Sequence, residues 1–288
     1  MKFGLMFSNV GPFGLPDQAA HLATTAEEVG IESLWTVEHV VVPVAYRSRY
    51  PYSASGKMPG PESSPIPDPI VWLSFVAAVT RRIRLATGIL ILPQRHPAYV
   101  AKELATLDQL SAGRAILGIG IGWLREEFQA LGIPFEERVG RTEEAVAALR
   151  SLWQERAEPF DGRYFQWDAL ESNPKPVQPG GVPIVVGGHV EAAARRAARI
   201  GDGFFPARGD EQTLPPLFDA IRDECRKIGR DPSEIELTAG LPPGGDLDAI
   251  RRLEDLGVSR LILPPPAFDP DGVRKGLEGF AETVLTRL

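Results

Sequence analysis

Residues 83–119 read IRLATGILILPQRHPAYVAKELATLDQLSAGRAILGI, and this stretch decides the fold. An aliphatic run at 83–90 is followed by Pro93 and Pro97, then by helical spacing over 98–110, then by a second aliphatic run at 114–119. Strand, helix, strand is the unit of a parallel sheet. Working outward, the same alternation continues both ways. Further strands are predicted at 2–7, 33–37, 182–187, 203–206, 234–239 and 259–263. Further helices are predicted at 17–30, 68–80, 141–156, 190–200, 211–229, 246–256 and 272–287. Ala19, Leu22, Ala23, Ala26 and Val29 share one face of the first helix, and Gly30, Gly201, Gly229 and Gly257 stand where helices end. Eight βα units without a break predict an α/β fold, a single (β/α)8 TIM barrel spanning 1–288. A doubly wound open sheet is the structural alternative, and the count of eight favours closure.

Bulk properties agree with one soluble domain. The chain has 288 residues, where such barrels run to about 250. Its net charge of −7 argues against a nucleic-acid binder, which needs a basic face. The single cysteine, Cys225, lies in an apolar helical series with Leu217, Phe218 and Ile221, so it reads as a core residue. One cysteine excludes an internal disulfide and suits a reducing cytoplasm. The apolar stretch at the N-terminus is too short for a signal-peptide core, and no apolar run approaches the ~20 residues that span a membrane. A cytoplasmic protein without a membrane partner is therefore expected. With four histidines and one cysteine there is no H-x-H, H-E-x-x-H or C-x-x-C, so no metal site is expected. There is also no nucleophile elbow and no phosphate-binding Walker loop.

Two connections are too long for turns. Residues 40–67, after the second strand, carry six prolines with Tyr46, Tyr50 and Tyr52; the other lies between the fourth helix and fifth strand, around Phe160 to Pro176. The first leaves the C-terminal face, where barrels build their sites, so its aromatics would cover a flat apolar ligand or serve only as a packed lid. The second strand ends in Glu38-His39, an acid and an imidazole placed for proton transfer or for a hydrogen-bonded loop entry. The fifth strand ends Gly187-Gly188-His189 before a helix. That is a phosphate cradle or a tight turn. In the fourth strand Gly118, Gly120 and Gly122 make room for something at the strand end, and Trp123 stands where a dinucleotide fingerprint needs its third glycine. Gly88 within the third strand predicts a bulge. Arg95 and His96 would bind an anion or form a solvated helix start.

In order along the chain, Trp35…Glu38-His39, the stretch Leu85 to Trp123, Gly140-Arg141-Thr142-Glu143-Glu144, Asp161-Gly162-Arg163-Tyr164-Phe165, Asn173-Pro174-Lys175-Pro176, Val186-Gly187-Gly188-His189 and Gly201-Asp202-Gly203 resemble the luciferase-like monooxygenase family, in its deazaflavin branch. The resemblance implies a barrel holding coenzyme F-420 in its mouth, with FMN as the alternative. It implies a non-proline cis peptide at Gly88-Ile89 supporting the ring. Thr87, Gly120, Gly122 and Trp123 would line the ring; Gly187, Gly188 and His189 would take the phosphate. His39, with Glu38 beside it, matches the family's acid–histidine pair and would donate a proton. Hydride transfer between the deazaflavin C5 and a small organic substrate is the implied reaction. Reduced FMN with oxygen is the rival, and a non-catalytic ligand-binding barrel is a further alternative. Trp123 replaces the carboxylate of the sugar-phosphate branch, so a flatter, more apolar substrate is expected. Arg47, Arg49, Lys57 and Arg208 are candidates for the cofactor's acidic tail. Relatives often pair as dimers, so a homodimer is possible.

Overall fold

The computed structural model describes residues 1–206, 209–242 and 245–288. The strands, in chain order, are β1 (Lys2–Leu5), β2 (Ser33–Thr36), β3 (Arg84–Thr87), β4 (Leu90–Ile91), β5 (Ala115–Gly120), β6 (Phe160–Asp161), β7 (Gln166–Trp167), β8 (Ile184–Gly187), β9 (Gly203–Phe205), β10 (Glu236–Gly240) and β11 (Arg260–Leu263). The helices are α1 (Pro16–Val29), α2 (Pro69–Val79), α3 (Pro97–Ser111), α4 (Arg125–Ala130), α5 (Arg138–Trp153), α6 (Glu191–Ile200), α7 (Leu214–Ile228), α8 (Leu247–Asp255) and α9 (Pro270–Thr283).

All barrel strands pair in parallel, in the order β3-β2-β1-β11-β10-β9-β8-β5-β4, and a further β3–β5 pairing closes the ring. Register pairs such as Leu5 with Leu34 and Leu85 with Ala115 continue round the circuit. The sheet is therefore a closed eight-stranded (β/α)8 barrel, as eight units require. The predicted third strand is split at the cis peptide Gly88-Ile89 into β3 and β4, and β4 re-pairs with β5 at Leu90–Ile119.

The core has two layers. The larger packs helices onto the outer strand faces; Cys225 is buried within it. The smaller fills the barrel interior with Trp35, Ala86, Ile116, Val185, Phe205 and Ile262. Trp35 is fully buried and meets Phe205 edge-on at 5.4 Å. At the strand starts the floor is closed by Arg260, which bonds Glu32 (2.9 and 3.0 Å) and Glu236 and lies 5.6 Å from the Trp35 ring. A fully buried guanidinium needs such carboxylates. This floor shuts the lower end of the barrel interior. Among the described residues no helix is long and apolar enough to cross a membrane.

Two elements escape the sequence pattern. One is α4, in the stretch after β5. The other is the antiparallel β6–β7 hairpin, part of the second long connection. That connection starts from the lower end of α5 and climbs back along it. Glu144, in the second turn of α5, accepts N–H bonds from Arg163, Tyr164 and Phe165 (2.7–2.9 Å). Phe165 then reaches His96 at the top of α3, with ring centroids 5.3 Å apart.

Candidate functional site

The C-terminal mouth is built around the break in the third strand. Gly118, Gly120 and Gly187 leave their space to the protein's own bulge. A Cβ on Gly118 would lie 1.9 Å from the Thr87 carbonyl, one on Gly120 would lie 2.6 Å from Ile89 Cδ1, and one on Gly187 would lie 2.7 Å from Ile89 Cγ2. The Ile89 side chain is thus wedged between β5 and β8. Gly122 makes room for Phe128 and Ile91. Thr87 departs from its expected role: it is fully buried and its hydroxyl donates to the Gly118 carbonyl at 2.7 Å. Its side chain braces the barrel wall and is not free for a cofactor.

Glu38 and His39 part company. Successive residues of an extended segment face opposite sides. Glu38 is buried; it accepts from Ile91 N–H (2.5 Å) and from Arg95 Nε and Nη2 (2.9 and 2.5 Å). Burial pushes its carboxyl up, and the Arg95 charge and the Ile91 N–H oppose that rise. Burial opposes the Arg95 charge, but Glu38 and Asp68 hold its pKa above the ordinary value. Asp68 also caps α2 through the Ile70 and Val71 amides. Arg95 is therefore held by Glu38 and Asp68, with Glu103 3.8 Å from its Nη1. Glu38 fixes β4 beside the bulge rather than serving His39, so its placement as the catalytic acid is corrected.

The acid that meets the imidazole is Glu127, on α4. Its carboxylate is wholly buried and lies 2.9 Å from His39 Nδ1; its other oxygen accepts from the Val40 and Val41 amides at 2.7 and 3.2 Å. A carboxylate at Nδ1 holds the proton there and leaves Nε2 for exchange. Glu126, the preceding residue, binds the same long loop further on, accepting from Arg47 N–H (2.6 Å), Ser48 N–H (3.2 Å) and the Ser48 hydroxyl (2.7 Å). Asn9 ties the loop's two roots together, donating to Val37 and Pro67 carbonyls and accepting from Val37 N–H. Sequence reading missed Glu126, Glu127 and Asn9. The one visible signal was an acid pair just beyond a glycine-rich strand end.

So anchored, the loop brings its tyrosines over the mouth. Trp123 is edge-on to His39 (5.7 Å), Tyr46 (5.5 Å) and Tyr50 (5.2 Å). Tyr52 meets His189 at 4.9 Å. Lys57 sits over the Tyr46 ring and donates to the Tyr46 carbonyl, while Arg47 and Arg49 are exposed. Arg208 lies outside the described residues. His96 is the N-cap of α3, accepting from Ala98 N–H at 3.2 Å; burial and the Arg141 charge lower its pKa.

The backbone is bare where β8 ends. Gly188 has φ +140, and a Cβ there would meet Ala193 at 2.5 Å, so a bare backbone turns into α6. Neighbouring α5 begins at the same end of the barrel and is tied to α6 by Arg196–Glu143 (3.2 Å). In its first turn Arg138 and Arg141 share one face, and the Nε of each is buried without a protein partner. Burial, and then the Arg125 charge, lower the Arg138 pKa. Buried guanidinium N–H groups and a bare backbone turn, both at this end of the barrel, fit a phosphorylated ligand. Sequence reading singled out Gly187, Gly188 and His189 here but not the two arginines. Among the described residues no cluster of three or more His, Cys, Asp or Glu is arranged to hold a metal.

Comparison with known proteins agrees with this architecture. The luciferase-like monooxygenase family model matches residues 1–263. An uncharacterized protein of Mycobacterium tuberculosis is 33% identical over 276 residues, covering 93% of this chain and 94% of that one. An F-420-dependent glucose-6-phosphate dehydrogenase of Kineococcus radiotolerans is 33% identical over 246 residues, 83% of this chain and 67% of the relative. Among solved structures, a monooxygenase of Streptomyces bottropensis superposes with a TM-score of 0.78 at 25% identity over 100% of this chain and 99% of that one. An F-420-dependent secondary alcohol dehydrogenase has the same fold, with a TM-score of 0.78 at 21% identity over 99% and 98% of the two chains. The chain belongs to the luciferase-like monooxygenase family of oxidoreductases.

Proposed function

We propose that this protein is a coenzyme F-420-dependent oxidoreductase that moves a hydride between the deazaflavin and a small organic substrate. The observation that carries the reading is the bare Gly187-Gly188 turn at the end of β8, together with two buried guanidinium Nε groups without a hydrogen-bond partner, Arg138 and Arg141, in the first turn of α5. In this reading the cofactor's phosphate lies among them. The choice of deazaflavin is supported by relatives at 33% identity whose names are F-420-dependent.

When bound, the deazaflavin supplies a two-electron hydride donor or acceptor at ring carbon 5. The chain does the rest. The Gly88-Ile89 backbone, backed by the wedged Ile89 side chain, offers a shelf at the mouth. His39, held at Nδ1 by Glu127, exchanges through Nε2 the proton that accompanies the hydride. Trp123 and the loop tyrosines exclude water from the mouth.

Titrating the protein with F-420 and with FMN, following ring fluorescence, tests the proposal. Saturable binding of F-420 is expected, and saturable binding of neither would end it. His39→Ala should keep cofactor affinity and lower turnover about 100-fold or more. The second reading is oxygen chemistry with reduced FMN, favoured by the 25% identity to a monooxygenase along the whole chain. Oxygen-dependent turnover with reduced FMN, and no binding of F-420, would replace the first reading with the second.

A further inference from the structure

Arg138 is the first residue of α5, and what holds its guanidinium is not a carboxylate. The two acids of the preceding turn are taken elsewhere: Glu136 bonds Arg125, and Glu137 lies 3.8 Å from Arg141. Phe135 does the holding. The Arg138 guanidinium carbon lies over the Phe135 ring, 3.9 Å from its centre, and Nη1 donates to the Phe135 carbonyl at 2.9 Å. Nε is buried without a partner. Nη2 makes no hydrogen bond among the described residues and is not buried as Nε is.

The ring is itself fixed from α4. Phe128 meets it edge-on, with centroids 5.3 Å apart and planes at 89°. Phe128 is fully buried, in the space that Gly122 leaves; a Cβ on Gly122 would lie 2.6 Å from Phe128 Cε2. Arg125, on the same helix, puts a second guanidinium over the ring at 4.4 Å. Gly122, Phe128, Phe135 and Arg138 thus form one chain of contacts. The residue before Phe128 is Glu127, which holds His39.

An aromatic suits this place for a physical reason. A carboxylate would neutralise Arg138 and compete with an incoming anion. A ring face attracts a guanidinium through its quadrupole and carries no net charge, so the cation keeps its own. Burial and the Arg125 charge both disfavour the charged guanidinium, and a bound anion would offset them.

We propose that Phe135 is a positioning residue of the anion site: its ring and carbonyl fix the Arg138 guanidinium with its charge intact, and Nη2 is left for the ligand's phosphate. The assignment of that phosphate to F-420 rests on the function proposed above.

Three variants separate this role from plain packing. Phe135→Leu keeps apolar bulk without a π face, Phe135→Tyr keeps the face, and Arg138→Ala removes the cation. Thermal melting checks that each folds. F-420 and its phosphate-free core are titrated by fluorescence. Inorganic phosphate is titrated on the cofactor-free protein and followed by the Arg138 Nε–H resonance. Phe135→Leu should weaken F-420 and phosphate about 3- to 30-fold and leave the phosphate-free core unaffected. Phe135→Tyr should bind both near the wild-type affinity. In Arg138→Ala, adding Phe135→Leu should weaken neither further. Unchanged affinity for both in folded Phe135→Leu, an equal loss for the phosphate-free core, no retention in Phe135→Tyr, or additive losses in the double variant would each overturn the assignment. If F-420 does not bind while phosphate binds in a Phe135-dependent way, the cofactor reading fails and the role of Phe135 stands. If neither ligand binds, both fail.

Discussion

His39 and Glu127 are 88 residues apart in sequence and 2.9 Å apart in space. The histidine was legible from its place at a strand end, but its partner was not, because adjacency pointed to Glu38. In an extended segment the neighbour faces away, and Glu38 went to Arg95 instead. The glycines were legible as positions of close approach. What approaches them is the Thr87 carbonyl and the Ile89 side chain, and no linear pattern announces that contact. Glu127 is a positioning residue, and Glu127→Gln tests that role. In the loaded enzyme kcat should fall about 10–100-fold while KM and cofactor affinity stay near their original values. The ¹⁵N spectrum of His39 should lose its preference for the proton on Nδ1. A variant with that preference and kcat both unchanged would remove Glu127 from the mechanism.

At the scale of elements, α4 has six residues, too few to show a helical period, and its N-cap has no side-chain bond. It therefore stayed hidden, although it anchors the mouth loop through Glu126 and Glu127. The longer elements were found to within a few residues because their periodicity extends over several turns. Burial would raise the Glu126 carboxyl, but the Ser48 hydroxyl and the Arg47 and Ser48 amides outweigh it and bring it down to about 2. A carboxyl depressed on folding stabilises fully above its ordinary value and loses that contribution as pH falls through the folded value. The loop's attachment should thus weaken between about 4.5 and about 2. Hydrogen exchange at residues 46–52, corrected for intrinsic rates, should quicken over that interval, and in Glu126→Ala it should already be fast at neutral pH. Equal protection in the variant at neutral pH would show that the loop is held by other contacts.

For the whole molecule, eight alternating units carried the barrel, but closure depends on the β3–β5 pairing, which the bulge interrupts and no sequence pattern marks. Nor was the floor legible, since an arginine at a strand start looks solvated. Arg260 is instead fully buried, and the Arg260 contact holds the Glu32 carboxyl down against the burial that would raise it. Arg260→Ala would leave Glu32 and Glu236 facing each other across the sealed end. A loss of about 3–5 kcal/mol in urea unfolding is expected, and a loss below about 1 kcal/mol would mean the floor is held by packing alone.

The central claim is that a phosphorylated tricycle enters the open end, its phosphate held by the β8 turn and the first turn of α5. The most direct measurement is a fluorescence titration of the wild type and of Arg138→Ala/Arg141→Ala with F-420 and with its phosphate-free deazaflavin core. The account predicts that removing the phosphate weakens wild-type binding about 100-fold or more, two charge-assisted hydrogen bonds being lost. In the double variant the difference between the two ligands should shrink to what the β8 turn alone supplies. Equal affinity of the wild type for both ligands would contradict it.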